Sequence, residues 1–306
     1  MRSIAAALAV LTCACTAAPA PPPPAHSYDD QIHIKEVEAW RAKHEADYRR
    51  EWVTIAGLHP LKSGRNTVGS SPSSDIPLPA PAPPTVGYFT VADKTVGFTP
   101  EPGAPVRLRD AAVTSTVLVH GGEPPASGTL SVGDVQFLVH LTGDRRTIRV
   151  RDPNGPQARS FLGFTWFPID PEYRVIGRFI KDAEPNRMKV PNTIGDEDVY
   201  ATDGVVEFTL FGQTLRLRPF TTRPKRFYFV FRDASSGHET YETARFFYAD
   251  LRDDNSVIVD FNQAYNPPCA FNPYTTCPIP LRENRMTVKI LAGEKAYPIK
   301  VEQMIR

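Results

Sequence analysis

From residue 52 onward, apolar and polar positions alternate in short runs broken by glycine and proline: 52–56, 64–68, 88–91, 96–99 and 113–119. A period of two belongs to strands with one buried face, and breaks this frequent point to sandwich or barrel-like antiparallel sheets. Three hairpins stand out further along. Residues 132–141 alternate with Val135, Phe137, Val139 and Leu141 inward, turn at Gly143-Asp144 and return over 147–151. Residues 205–210 turn at Phe211-Gly212 into 213–217, and 226–232 turn at Ser235-Ser236-Gly237 into 240–247. Each has glycine in or beside its connection, as tight hairpin turns require. No segment after Arg50 has the period of a long helix. The one helical pattern precedes the strands: Ile32, Val37, Trp40, His44 and Tyr48 form an intermittent stripe among charges, with Glu36, Trp40, His44 and Tyr48 on one face. This predicts a single amphipathic helix over 32–50, docked through Trp40 and Tyr48. The fold class is therefore mostly β, with one N-terminal amphipathic helix.

The stretch 260–280, DFNQAYNPPCAFNPYTTCPIP, breaks the alternation between two strand-like runs, 256–259 and 286–291. Pro267, Pro268, Pro273, Pro278 and Pro280 forbid a helix and most ladder pairing. Phe261, Tyr265, Phe271 and Tyr274 argue for an ordered loop, since disordered segments are poor in aromatics. Long irregular segments inside compact domains are commonly functional, so this loop is the first candidate surface.

Composition adds a compartment. The first residues read MRSIAAALAVLTCACTAAPAPPPP. One arginine, a short apolar core and small residues form the pattern of a secretory signal peptide over 1–16. Leu11 to Cys15 also resembles a bacterial lipobox, with Cys15 as the lipidated residue and Cys13, after Val10-Leu11-Thr12, as the second choice; ordinary cleavage near Ala17 to Ala20 fits the same run. Residues 17–27 are then a Pro/Ala tether. The expected order is signal peptide 1–16, tether 17–27, docking helix 28–51, small β-sandwich 52–122 and a larger antiparallel β unit 123–306. The protein is expected to be exported, either anchored by lipid or periplasmic or extracellular. Cys269 and Cys277 are then the only cysteines of the folded part. In an oxidising compartment they would form a disulfide; inert thiols or a nucleophilic cysteine are the alternatives. The net charge of +1 over 306 residues gives no support for nucleic acid or an anionic membrane surface as partner. A membrane contact would come only through the N-terminal lipid.

Two resemblances follow from particular residues. Residues 64–79, GRNTVGSSPSSDIPLP, resemble the opening of a forkhead-associated domain: a strand ends in glycine, a serine-rich loop follows, and Asp75-Ile76 resumes. Ser70 stands where that family has an arginine, so the resemblance implies a small sandwich without phosphopeptide chemistry. A second set covers more of the chain: Gly57-Leu58-His59 with Leu61, Gly64 and Asn66; Phe167-Pro168-Ile169-Asp170 with Tyr173-Arg174-Val175; Thr240-Tyr241 with Ala244-Arg245-Phe246; and residues 260–271 with Tyr274, Thr276-Cys277-Pro278, Asn284-Arg285 and Ala292-Gly293-Glu294. These are similar to a bacterial family of uncharacterised proteins, domain of unknown function 1684. That family name implies kinship and no activity.

Catalytic templates are absent. There is no Gly-x-Ser-x-Gly elbow, His-Glu-x-x-His, phosphate loop or dinucleotide fingerprint. No metal or cofactor is called for, because the histidines are scattered and none is paired at metal spacing. His59, in a turn beside Trp52, is the histidine of most interest. The better constellation brackets the Cys loop: Asp260, Asn262, Tyr265, Asn266, Asn284 and Arg285, with Arg174, Arg178 and Arg245 from nearby strand-like segments. As a ligand site the arginines would clamp an anion, with Asp260 as base and Tyr265 as donor. As structure, the same side chains would satisfy irregular backbone. Two functions are thus in view. One is a non-catalytic binding or accessory module of the cell envelope, for a small molecule or an envelope partner. The other is a hydrolase of an anionic small molecule. An enzyme requires Asp260, an arginine and Tyr265 to converge on one open cleft.

Overall fold

The computed structural model describes residues 30–93, 95–119, 128–142 and 145–299. The expected leader and tether, with Cys15, lie outside the described residues, as do 121–127 between the two expected β units and the expected turn at 143–144. The chain opens with helix α1 (Asp30–Tyr48), which one π-helical turn extends to Val53. Its buried side is His33, Val37 and Tyr48, with Trp40 and His44 half-buried between them. That is the i, i+4, i+7, i+11, i+15 stripe of a docked helix. Trp40 and Tyr48 dock as expected. Ile32 and Glu36, read into the stripe, are exposed, so the packing face is turned toward His33. The expected strand at 52–56 begins later, because Trp52 and Val53 stay helical.

The first sheet strands are β1 (Ile55–Pro60), β2 (Gly64–Gly69), β3 (Ile76–Pro77), β4 (Gly87–Ala92), β5 (Thr95–Pro100), β6 (Val106–Leu108), β7 (Ala111–Ala112), β8 (Val117–Val119), β9 (Leu130–Val132), β10 (Val135–Thr142) and β11 (Arg145–Arg151). They form two sheets, in the orders β1-β11-β10-β9-β6-β7 and β3-β2-β4-β5-β8. Inward residues of both sheets meet in one core around Phe89, Phe98 and Phe137, with Ile76, Leu130, Ile148 and Val150. Val135, Phe137 and Val139 point inward as the alternation requires; Leu141, at the hairpin end, is 41% exposed. Residues 130–151 were grouped by pattern with the larger C-terminal unit. Their strands instead complete this first sandwich, with β11 paired to both β1 and β10.

After the short helix α2 (Pro156–Ser160) come β12 (Arg174–Pro191), β13 (Glu197–Leu210), β14 (Gln213–Leu217), β15 (Phe220–Arg223), β16 (Arg226–Phe231), β17 (Arg245–Asp250) and β18 (Ser256–Asp260). One sheet runs β14-β13-β12-β18 and the other β15-β16-β17. The two share a core containing Phe179, Val206, Phe208, Phe227, Phe229 and Phe231. Strand β16, RFYFVF, lacks polar alternation because both its faces are covered. Phe227, Phe229 and Phe231 face the β14-β13-β12-β18 sheet. Tyr228 and Val230 face the cluster made by helix α1 and the Cys loop, around Tyr48, Val53, Tyr265 and Phe271.

The predicted hairpin at Phe211-Gly212 forms β13–β14, with φ of 49° and 74° at its two turn residues, the positive pair that a two-residue turn demands. The third hairpin differs: its return strand starts at Arg245, opposite Phe231, rather than at Thr240. The run 286–291 is not a strand. Met286, Val288 and Ile290 are buried alternately, but Met286 and Val288 bond the backbone of the loop residues Arg232 and Ala234, and the Ile290 N–H donates to the Asp233 side chain. The alternation was real, and the ladder was missing because no strand edge lies beside it.

Close approach fixes one glycine. A Cβ on Gly204 of β13 would lie 2.2 Å from the Ile180 carbonyl oxygen of β12, inside any tolerable contact. Gly204→Ala is expected to destabilise the fold by about 1–3 kcal/mol through forced backbone displacement. A urea midpoint lowered at unchanged m-value would show it.

Candidate functional site

The Cys loop is held by side-chain amides. Asn262 bonds the carbonyl and N–H of Asp170 through its Nδ2 and Oδ1. Asn266 donates from its backbone N–H and Nδ2 to the two oxygens of Glu294, 2.8 Å each. Asn272 donates from Nδ2 to the carbonyls of Trp52 and Ile55, both at 2.9 Å. Asn284 accepts from the Arg218 N–H and donates to the carbonyls of Arg218 and Val230. All four are fully buried. Asn262 and Asn284, read as ligand candidates, thus spend their side-chain polar groups on the protein; Asn266 does so through Nδ2, while its buried Oδ1 has no hydrogen-bond partner among the described residues. Cys269 and Cys277 are buried free thiols, so the expected cross-link is not formed; amide bonds and turns already fix the loop. Burial and the neighbouring Cys269 push the Cys277 thiol well above its ordinary range, which leaves it protonated and a poor nucleophile.

Of the charged candidates, Asp260 and Arg174 come together and the others lie apart. Asp260 pairs with Arg174 in register across β18 and β12. One of its oxygens is 2.8 Å from His33 Nε2 and the other accepts from the N–H and Nδ2 of Asn262. Asp260, His33 and Arg174 border a small cleft of ≈ 340 Å³. Tyr265 is buried elsewhere, among Trp40, His44, Tyr48 and Phe246. Arg245 is 1% exposed; it donates to Asp233 at 2.7 Å and to the carbonyls of Ile290 and Ala292. Arg178 and Arg285 are exposed. His59 is half-buried on β1, its ring folded over Gly57, and burial lowers its pKa. Asp75, in the stretch resembling a forkhead-associated opening, is tied to Thr67 and Lys62. Those bonds, the Thr67 N–H first, hold its carboxyl at about 2.

Two titratable groups, half-buried His44 and buried Glu294, sit where α1 meets the loop. Burial lowers His44, ringed by Trp40, Tyr48, Phe164, Trp166 and Tyr265, to about 4. Burial pushes the Glu294 carboxyl up to about 8, against the two Asn266 donors and Arg245.

The largest cavity among those described lies elsewhere. A groove of ≈ 1280 Å³ runs between the outer face of β10–β11 and the chain from the end of α1 through the π-turn. Register places Gln136 opposite Arg151, Leu138 opposite Arg149 and His140 opposite Thr147, so these share the face turned away from the sandwich core. Gln136, Leu138, His140, Arg149 and Arg151 form that wall; Arg49, Arg50 and Trp52 form the other, and Arg223 at the end of β15 closes it. The lining thus holds five guanidinium groups and one carboxylate, Glu51. Arg49 is held by Glu45, and Arg50 by Asp47 and Glu51. Arg149 is 6% exposed; its guanidinium lies 5.2 Å from the Trp52 ring centre and bonds His140 Nε2 at 3.0 Å. Burial, then the positive field of Arg149 and Arg151, lowers His140 to about 4. Neutral imidazole can therefore accept that bond. The signal for this wall was in the sequence. The β11 run RRTIRVR sets Arg149 and Arg151 on one face and Ile148 and Val150 on the other. What it faces was not.

A family model described as a protein of unknown function (DUF1684) matches residues 159–295. The expected kinship thus holds over that stretch; the 57–66 block lies outside it. No curated protein matches the chain. Among solved structures, the chain is similar to the solution NMR structure of an uncharacterised protein of Haloarcula marismortui. The two are 28% identical, over 47% of this chain and 82% of that one, with a TM-score of 0.39.

Glu294 generates a pH dependence. Its folded pKa is raised from 4.5 to about 8, so the folded state keeps a proton that the unfolded chain has lost. The stability from this group is full below 4.5 and is lost as pH rises through 8. His44 and His140, both lowered from 6.5 to about 4, act oppositely and only below 6.5. Between pH 6.5 and 8, unfolding free energy is therefore expected to fall, by about 1.4 kcal/mol per pH unit at one-proton linkage. Urea denaturation across that window checks it: Glu294→Gln should flatten the slope.

Proposed function

We propose that the protein is a non-catalytic binding module of the cell envelope and that its ligand, an anion, lies in the arginine-lined groove. The observation that carries this reading is the charge around the groove, five guanidiniums against Glu51 in the lining and Glu45 and Asp47 beside Arg49 and Arg50, on a chain whose net charge is only +1. Basic side chains gathered in one cleft focus the field and favour an anionic occupant. Guanidinium matches carboxylate and phosphate oxygens with two parallel donors. The groove also lies where the helical segment crosses the sandwich, the kind of junction that ligand sites favour. The envelope setting rests on the leader-like residues 1–16 alone. The hydrolase alternative draws little support, because the oxygens of Asp260 are committed to His33 and Asn262 while Tyr265 is buried in another cluster.

Retention on phosphocellulose at pH 7.5 tests the reading, since the whole chain is close to neutral there. The wild-type protein is expected to bind and Arg151→Gln/Arg223→Gln to elute much earlier. Arg178→Gln/Arg187→Gln, which removes two exposed arginines of β12, should elute with wild type. Equal loss in both double variants would sink the assignment to the groove.

A further inference from the structure

The groove further points to the form of its ligand. We infer that it takes a chain of repeated oxyanion groups rather than a single small anion; this rests on the reading just given. Three observations carry it. All five cations of the lining are arginines, with no lysine among them. Arginine is the residue suited to planar, two-point contact with carboxylate or phosphate. The cations also come from three separate elements: Arg49 and Arg50 from the π-turn, Arg149 and Arg151 from β11, and Arg223 from β15. Arg149 and Arg151 are two residues apart on one strand face, about 6.6 Å along it. A single phosphate or carboxylate engages one or two such forks. A chain with charges repeated every few ångströms can meet Arg149 and Arg151 on one wall and Arg223 at the end together. Finally, ≈ 1280 Å³ exceeds the roughly 300–1,000 Å³ of pockets built around compact ligands.

The neutral groups of the groove fit the same occupant. Gln136 offers hydrogen bonds without charge, and Leu138, Ala46 and Ala158 add apolar surface to the lining. A chain of charged groups on a less polar backbone uses both. Phosphate chains and uronate chains share this chemistry, and the test distinguishes them.

Calorimetric titration of the full chain would use three probes: inorganic phosphate, long-chain polyphosphate and oligogalacturonate, each at about 50 to 200 mM salt. At least one chain is expected to bind at least tenfold tighter, per site, than inorganic phosphate. Its log–log salt slope should be about −2 or steeper, as release of several counterions requires. Arg151→Gln/Arg223→Gln should flatten that slope while unfolding like wild type. Binding of polyphosphate alone assigns a phosphate chain, and of oligogalacturonate alone a carboxylate chain. Inorganic phosphate binding as tightly as either chain, with a slope near −1, would overturn the inference and leave the groove as a small-anion site. No binding of any probe would remove the groove reading altogether.

Discussion

Buried backbone that belongs to no helix or ladder must still find hydrogen-bond partners, and in the C-terminal third of this protein that constraint organises the rest. From Phe261 to Tyr297 the chain forms short 3-10 turns and isolated bridges but no extended strand, yet most of it is buried. An unpaired buried amide or carbonyl costs about 1–3 kcal/mol, so the segment can be internal only if side chains replace the missing ladder. Asn262, Asn266, Asn272 and Asn284 do so. Asn262 reaches Asp170, Asn272 reaches Trp52 and Ile55, and Asn284 reaches Arg218 and Val230. Asp233 and Arg245 serve the neighbouring stretch. Asp233 accepts from Arg245 and from the Ser235 and Ile290 N–H groups, and Arg245 donates to the carbonyls of Ile290 and Ala292. With both charges at or near full burial, removing one partner would strand the other.

This network also joins the two β assemblies. Asn272 grips the carbonyls of Trp52 and Ile55, the residues where helix gives way to β1. Helix α1 is pinned from the other side by Arg41, which donates to the carbonyls of Phe167 and Asn262 and lies 4.7 Å from the Trp166 ring centre. Burial lowers that guanidinium to about 10. The helix and its π-turn are therefore fixed against the C-terminal assembly while β1 runs into the sandwich. The groove is the space this crossing leaves beside β10 and β11. Its charge comes from residues that each assembly presents outward, and the crossing makes them neighbours.

The candidates read from the Cys loop illustrate how residue type can point two ways. Asparagine, aspartate, tyrosine and arginine in irregular backbone are what a ligand site needs and also what a buried loop needs. Burial decides between them, and sequence does not report burial. Glu294, held beside Asn266 with its proton retained to about 8, belongs to the same interior. In sequence the arginines of β11 mark only the polar face of a strand, because alternation reports no more than that. Whether that face meets water or another part of the same chain is set by packing across long sequence separation.

The sequence by itself determined the local structure. Period-two alternation, the glycine turns and the single helical stripe yield a mostly β chain, the β10–β11 and β13–β14 hairpins and a docked N-terminal helix, because these depend on neighbours within a few residues. The proline-rich loop was also legible as ordered, from its aromatics. The tertiary structure alone decided that 130–151 complete the first sandwich and that 286–291 lie extended without a ladder. It alone placed Tyr265 away from Asp260 and set Arg149, Arg151 and Arg223 around one groove. Those outcomes depend on which surfaces meet across tens to hundreds of residues, and no local period encodes that meeting.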